Sequence, residues 1–373
     1  MTESWSELVT RWSAAGVIDA DTAGRIRAFE QANAGTIRLR WPIRIALAFG
    51  ALMLGAGVLL FVSAHWDMLS PATRFGLVLL LVAVFHLAAA ASRRFPAMAT
   101  ALHALGTIAL GAGIFLGGQI FNLEEHWPGG LMLWTIGAAT AWAILREPTQ
   151  MALTALLAPA WLGGEWALAV EHQAAVNAFR IPVVGIFLLA LTYLTATLRD
   201  RRDLSRVTLA RIGAAALPFA AVALCVASIE IRGTGSLPER LEIVGWSAAL
   251  GLPLALALLL RGTAAWPHAV AVLWAIVLVL LRQAAGDLSL YVWWALGATG
   301  LAAWGVRDRR NDQINLGAGA FAATVLAFYF SQVMDKLGRS ASLTGLGLLF
   351  LSGGWAIERV RRRLVAQARG GLA

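Results

Sequence analysis

The chain has 373 residues, of which 59% are hydrophobic and 14% are charged, and its formal net charge is +9. Soluble globular proteins carry about 25% charged residues, because their surface has to be hydrated. The composition therefore excludes a string of soluble domains and predicts that lipid covers most of the exterior. The positive charge does not indicate a nucleic-acid partner, because most arginines stand in short clusters between apolar runs, as the positive-inside rule requires.

Residues 1–40 are predicted to form a cytosolic hairpin of two amphipathic helices. The apolar residues of the first helix recur at helical spacing: Trp5, Leu8, Val9 and Trp12. Gly16 is suited to end this helix, and Asp19 or Asp21 to cap the second one. Two short helices bury little surface by themselves, so we expect the hairpin to lie on the membrane or against the inner loops. The alternative is a solubilising tail.

Twelve apolar runs are long enough to cross a bilayer, since about 30 Å of hydrocarbon takes roughly 20 helical residues. They comprise residues 42–64, 72–91, 97–121, 128–145, 148–165, 181–198, 209–229, 241–260, 264–281, 289–306, 314–333 and 340–357. Backbone groups cannot stay unpaired in lipid, and no run alternates with a period of two, so the runs predict helices. The predicted fold class is an all-α, polytopic transmembrane bundle over residues 41–358, followed by a basic cytosolic tail at 359–373. The fifth run contains Pro159 and is predicted either as a full span or as a broken, re-entrant helix.

The basic residues predict the orientation of the bundle. With the N-terminus in the cytoplasm, 23 of the 30 lysines and arginines fall on the inner side, and this segregation holds to the end of the chain. An even number of spans with both termini cytoplasmic is therefore predicted. Most tryptophans fall near predicted helix ends, where an amphipathic ring prefers the headgroup layer. Trp134 and Trp274 do not, and they are predicted to pack inside the bundle.

The connection between the third and fourth runs is the strongest local signal for a binding site. Gln119 and Asn122 lie one turn apart at the predicted outer end of a glycine-rich helix, and Glu124, Glu125 and His126 follow them. A carboxamide that faces hydrocarbon without a hydrogen bond is costly, so the pair should face the bundle. It predicts either the floor of an outward-facing polar pocket or a helix cap that also holds neighbouring helices together.

Two histidines lie deep within apolar runs. His86 and His103 stand at similar depth on consecutive antiparallel helices, so we expect their rings to meet. Ionisable groups at such depth indicate function, for instance a proton relay; the alternative is a neutral hydrogen bond between helices. Histidines beside acids in the outer loops lack the fixed spacing of a metal site. No metal or other cofactor is therefore predicted.

Three stretches of the chain resemble one family of membrane proteins. The first is Leu8…Trp12…Gly16-Val17-Ile18…Ala23…Ile26…Glu30, and the second is Gly118-Gln119-Ile120-Phe121-Asn122…Gly130-Leu131…Leu133-Trp134. Both resemble domain-of-unknown-function family 2157, predicted bacterial membrane proteins. The third is Ile314-Asn315-Leu316-Gly317…Phe321…Tyr329-Phe330…Asp335…Arg339-Ser340…Gly345…Glu358-Arg359…Arg361-Arg362, which resembles the end of that family and of the related family 4401. The resemblance implies a bacterial inner membrane and no assigned activity, and it adds Tyr329, Asp335 and Arg339 to the candidate residues.

These features favour a transport-type protein that moves or binds a small or lipid-like solute around Gln119 and Asn122. The alternative is a non-catalytic envelope scaffold or assembly factor that recruits a protein partner through the N-terminal hairpin. A membrane enzyme is less favoured, because the sequence shows no P-loop, no GxSxG elbow and no set of nucleophile and base. Transport predicts a water-accessible cavity lined by polar residues, whereas a scaffold predicts an exposed apolar patch on residues 1–40.

Overall fold

The computed structural model describes residues 5–33, 49–50, 53, 69–120, 126–173, 175–197, 203–229, 235–284, 287–333, 344–345, 347–348, 351, 353–355 and 358–359. The chain divides into two compact units, Met1–Ser70 and Pro71–Ala373. The described parts of both units are helical, as the apolar runs predict.

The first unit contains the predicted hairpin. Helix α1 spans Trp5–Ala14 and helix α2 spans Ala20–Asn33. Gly16 ends α1 with a φ of +67°, a conformation that glycine adopts without strain. Asp19 rather than Asp21 caps α2, because its Oδ1 accepts a hydrogen bond of 2.7 Å from the backbone N–H of Thr22. Hydrogen bonds from the side chain and backbone of Thr22 lower the pKa of the Asp19 carboxyl below its ordinary value.

The two helices of the hairpin bury few apolar residues. Val9 and Ala23 are buried, so they form the contact that the short helices provide. Trp12, Val17 and Phe29 are exposed. Exposed apolar side chains are what the scaffold hypothesis predicts here, and they suit a membrane surface equally.

Ten helices of the second unit have described bounds, and each coincides with one of the predicted runs, from the second to the eleventh. They are α3 Pro71–Ala91, α4 Pro96–Ile120, α5 Trp127–Leu145, α6 Pro148–Ala169, α7 Val176–Leu194, α8 Leu204–Ile229, α9 Glu239–Arg261, α10 Trp266–Ala284, α11 Asp287–Arg307 and α12 Asn311–Phe328. A short 3-10 helix, Gly262–Ala265, joins α9 to α10, and a π-helical turn, Tyr329–Val333, extends α12. The predicted runs 42–64 and 340–357 lie largely outside the described residues.

The described residues contain fewer candidate spans than the sequence has apolar runs. Seven segments of the described chain are long and apolar enough, and one of them, Glu239–Leu281, joins α9 and α10. Helices α6 and α11 are not among the seven. The count of twelve spans and the orientation of the termini stay predictions, whereas the class of polytopic helical membrane protein is confirmed.

Helix α6 corrects the expectation of a break in the fifth run. It is one continuous helix of 22 residues with Pro159 inside it. Helices of membrane proteins tolerate an internal proline, because neighbouring groups satisfy the carbonyl that it frees. The prediction of a break was therefore wrong for these residues, whereas a full span stays a prediction, because α6 is not among the seven candidate segments.

Consecutive helices pack together as antiparallel hairpins, most extensively α3 with α4, α5 with α6, α7 with α8 and α11 with α12. Small residues allow these close approaches. A Cβ at Gly213 of α8 would lie 2.1 Å from the backbone N of Leu194 in α7. A Cβ at Gly317 of α12 would lie 2.6 Å from the backbone N of Ala302 in α11. At both positions the backbones themselves are in contact.

The core of the second unit lies around α7, which has buried residues along much of its length. Trp274 packs against this core: its indole N–H donates to the Trp293 carbonyl, and the indole N–H of Trp293 donates to the Trp274 carbonyl. Trp134 donates to the Thr107 carbonyl of α4 at 2.8 Å. Both tryptophans therefore pack between helices, as predicted.

The outward faces of the same helices are apolar. On α3, Leu79, Leu80, Val84 and Leu87 are all exposed, Leu87 by 68%. Water-soluble proteins do not expose contiguous apolar surfaces of this kind. The exposed leucines and valines are therefore the surface that meets lipid.

Candidate functional site

A pocket lies where four helix ends of the second unit meet. It has a volume of about 350 Å³ and is lined by residues from the α3–α4 turn and the α5–α6 turn. Ala89, Ala99 and Leu145 provide apolar walls, together with Ala90 and Pro96. The polar lining residues are Arg93, Thr100, His103 and Glu147. Pockets of this size suit small ligands held by a few polar groups.

The two turns that frame the pocket follow from local sequence. Helices α4 and α6 begin at Pro96 and Pro148, and proline suits the first helical position because no intrahelical N–H is needed there. Helix α5 ends at Leu145 and is capped by Arg146, which adopts a left-handed φ of +56° and donates its backbone N–H to the Trp142 carbonyl at 2.8 Å. This tight ending sends the chain directly from α5 into Glu147 and α6.

Glu147 is the most unusual polar group of the pocket. It is the residue that precedes α6, and its side chain makes no hydrogen bond that caps the helix. Its Oε1 accepts a long hydrogen bond of 3.4 Å from the Thr100 hydroxyl. Its Oε2 is buried and has no hydrogen-bond partner among the described residues. The positive end of the α6 dipole favours a negative charge at this position.

The two intramembrane histidines meet at the inner wall of the pocket. His103 lines the pocket and is 9% exposed, and its Nδ1 lies 2.9 Å from the Nδ1 of His86. The ring centroids are 5.2 Å apart. A hydrogen bond at this distance requires one Nδ1 to donate a proton and the other to accept it, and which ring donates depends on the tautomers. The predicted meeting of the rings is confirmed, whereas their function stays a prediction.

Gly106 makes room for the histidine pair, which gives a direct test of its geometry. A Cβ at this position would lie 2.7 Å from the Nε2 of His86. We expect Gly106→Ala to displace the His86 ring and break the contact with His103, at a cost of about 1 kcal/mol. Nitrogen-15 chemical shifts of the two imidazoles measure this change. Gly118→Ala on the same helix is the control, because nothing lies within 4 Å of its Cβ; unchanged shifts in Gly106→Ala would contradict the expectation.

Polar residues continue from the histidine pair into the bundle. The Thr107 hydroxyl lies 2.9 Å from the Oε1 of Gln150 and 3.2 Å from the His103 carbonyl, so its single proton is donated to one of the two. Gln150 is fully buried, and its Nε2 has no partner in the described part of the chain. The pocket is thus backed by a row of polar groups that reaches between α4 and α6.

The other predicted residues are placed as follows. Gln119 lies in the last turn of α4, but its side chain and the residues Asn122, Glu124, Glu125, Asp335 and Arg339 lie outside the described structure. Tyr329 is buried and opens the π-helical turn after α12. The described pocket is at the Pro96 end of α4, which is the opposite end from Gln119. A pocket at Gln119 and Asn122 therefore stays a prediction.

His126 has a partner that its neighbours in sequence do not reveal. Its Nε2 lies 3.1 Å from Glu165 Oε1, and the indole N–H of Trp161 donates to the same oxygen at 3.0 Å. This joins the start of α5 to the far end of α6. Within the described ranges, no group of three or more histidine, cysteine or acidic residues is placed to hold a metal ion.

A second buried polar cluster differs from the pocket because its charges are satisfied. Arg261 donates to Asp308 at 2.7 Å and to the Thr195 carbonyl at 2.5 Å. Trp304 donates to the same Asp308 oxygen, and His268 Nε2 lies 2.8 Å from the Thr195 hydroxyl. A closed network of this kind fixes helices relative to one another. The pocket, with its unpartnered carboxylate oxygen, is the better candidate for a site.

Sequence reasoning missed Arg93, Thr100, Thr107, Glu147 and Gln150. One signal was available: Gln150 is a carboxamide only three residues inside an apolar helix. Glu147 was hidden as an ordinary turn residue, because nothing in the sequence brings it to Thr100.

Comparison with protein families gives one match. Residues 10–151 match the family model of predicted membrane proteins, DUF2157. The resemblance predicted from the sequence is confirmed over this part of the chain, and the matched region contains every polar residue of the pocket. It ends at residue 151, so the resemblance of the C-terminal stretch to family 4401 stays a prediction. No curated protein and no solved structure matches the chain.

Proposed function

We propose that the protein binds a small polar or lipid-like solute in the pocket between the α3–α4 and α5–α6 turns and moves it across the membrane. The observation that carries this proposal is a cavity of about 350 Å³ lined by Glu147, whose Oε2 is buried and has no partner among the described residues. A buried polar atom without a hydrogen bond is costly and marks a place where a ligand adds the missing contact. Intramembrane ionisable groups also line solute and proton pathways in transport proteins.

The arrangement of the site supports movement as well as binding. His103 faces the pocket and exchanges a hydrogen bond with His86 on the neighbouring helix. A change in the protonation of this pair changes the contact between α3 and α4, so the pair is suited to couple a proton to the position of the helices. In the predicted topology, with twelve spans and both termini in the cytoplasm, the pocket lies on the cytoplasmic side of the bacterial inner membrane that the family resemblance implies.

Labelling of an introduced thiol tests access to the pocket. In a Cys225→Ser background, Thr100→Cys places the thiol in the pocket, and Leu87→Cys places it on the exposed apolar face of α3 as the control. The probe is the membrane-impermeant 2-(trimethylammonium)ethyl methanethiosulfonate, which needs a hydrated thiolate. We expect Thr100→Cys to react about tenfold faster than Leu87→Cys in inside-out vesicles.

Transport predicts a second result with the same variants. Thr100→Cys should also react, more slowly, when the reagent is added to right-side-out vesicles, because the pocket opens to each side in turn. Reaction from the cytoplasmic side alone would reduce the function to binding. No reaction from either side would show a sealed bundle and remove the proposal.

A further inference from the structure

Two opposite charges line the pocket on different turns. Arg93 follows α3 and is exposed, whereas Glu147 precedes α6 and has a buried Oε2 atom. The rest of the lining combines Thr100 and His103 with apolar residues such as Ala89, Ala99 and Leu145. The pocket therefore offers one anionic contact, one cationic contact and a surface for a short carbon skeleton.

The surroundings of Glu147 define what it binds. Oε1 accepts only a long hydrogen bond from Thr100, and Oε2 is buried without a partner among the described residues, so the Glu147 carboxylate keeps unused capacity to accept hydrogen bonds. The N-terminus of α6 favours the ionised carboxylate. The strongest hydrogen bonds to a carboxylate come from a charged N–H donor, and on a ligand this donor is an ammonium group.

The guanidinium of Arg93 favours an anionic group on the ligand. Its planar fork of N–H groups matches a carboxylate or a phosphate. We infer that the pocket binds a small zwitterion, with its ammonium at Glu147 and its carboxylate or phosphate at Arg93. This inference rests on the proposed function and adds the chemical class of the solute. The same chemistry belongs to a dissolved amino acid or phosphoamine and to the headgroup of phosphatidylethanolamine.

Calorimetry on the purified full-length protein in detergent tests the class of ligand. The probes are phosphoethanolamine and β-alanine as zwitterions, ethylammonium as the cation alone and inorganic phosphate as the anion alone, all at one ionic strength. We expect each zwitterion to bind about tenfold more tightly than either single charge, which corresponds to about 1.4 kcal/mol. Equal affinity for a zwitterion and a single charge would overturn the inference.

Two variants separate the halves of the site. Glu147→Gln should weaken phosphoethanolamine about tenfold and leave inorganic phosphate unchanged, whereas Arg93→Gln should weaken phosphoethanolamine and leave ethylammonium unchanged. Misfolding cannot produce this pattern, because Glu147→Gln has to keep its affinity for phosphate and Arg93→Gln its affinity for ethylammonium. Arg94→Gln and Glu171→Gln make the same changes of charge at residues that do not line the pocket, and both should bind like the unmodified protein.

The remaining outcomes distinguish a lipid ligand from a dissolved one, and they distinguish failure of the zwitterion inference from failure of the proposed function. In nanodiscs, retention of phosphatidylethanolamine over phosphatidylglycerol, lost in Glu147→Gln, supports the inference with a lipid as the source. Binding of the dissolved probes without that retention supports it with a free solute. If only phosphate or only ethylammonium binds, the inference that the ligand is a zwitterion is overturned, but the proposed function is not. If no probe binds and Thr100→Cys is also unreactive, both fall.

Discussion

Replacing Gly213 with alanine is expected to lower the free energy of unfolding by about 3 kcal/mol. A methyl group here would lie 2.1 Å from the backbone N of Leu194, 2.5 Å from the Ala190 carbonyl oxygen and 2.7 Å from the Leu194 Cα. All three atoms belong to the backbone of α7, so no rotation of a side chain can make room. Helices α7 and α8 have to separate, and α7 carries much of the buried core.

Thermal denaturation in detergent measures this effect. The control is Gly251→Ala on α9, where nothing lies within 4 Å of the added methyl. Alanine favours helix over glycine by about 1 kcal/mol, so this control should be neutral or slightly stabilising. Equal melting temperatures of the two variants would show that α7 and α8 are not as close as the structure places them.

The helices were predictable because their signal is local. The length of an apolar run sets the length of a membrane helix whatever it packs against, and ten runs became ten helices. The hairpin turn was predictable for the same reason, since Gly16 and Asp19 act on their own backbone. The helix is not broken at Pro159. The sequence could not decide this point, because the effect of a proline within a helix depends on neighbouring residues that the sequence does not reveal.

The candidate site was predictable only where connectivity fixes the geometry. His86 and His103 lie on the two helices of one antiparallel hairpin. Their positions along these helices place them at the same depth, so their rings meet. Glu147 and Thr100 lie on different hairpins, and their contact depends on how α3–α4 packs against α5–α6. The partner of His126 was not predicted for the same reason. Glu165 contacts it only because α6 runs antiparallel to α5, which brings the end of α6 to the start of α5.

Replacing Arg261 with alanine is the second change with a large expected effect, a loss of about 3–5 kcal/mol of stability. The Arg261 side chain is 3% exposed and the Asp308 side chain is 16% exposed. Removal of the guanidinium leaves Asp308 with the Trp304 indole as its described donor and leaves the Thr195 carbonyl without this partner. A buried charge that loses its counter-ion is far costlier than an exposed one, because water cannot replace the lost contact.

A double-mutant cycle separates the ion pair from the packing of the long side chain. Arg261→Met keeps most of the apolar volume, and Asp308→Asn removes the charge that faces it. If the pair acts as a unit, the double variant should be more stable than the sum of the two single losses predicts. Arg25→Ala is the matched control, because the Arg25–Asp21 pair is 73% and 84% exposed and should contribute at most about 0.5 kcal/mol. Because the Arg261 contacts tie the end of α7 to the turn before α12, additive losses in the cycle would mean that those elements are held by apolar packing alone.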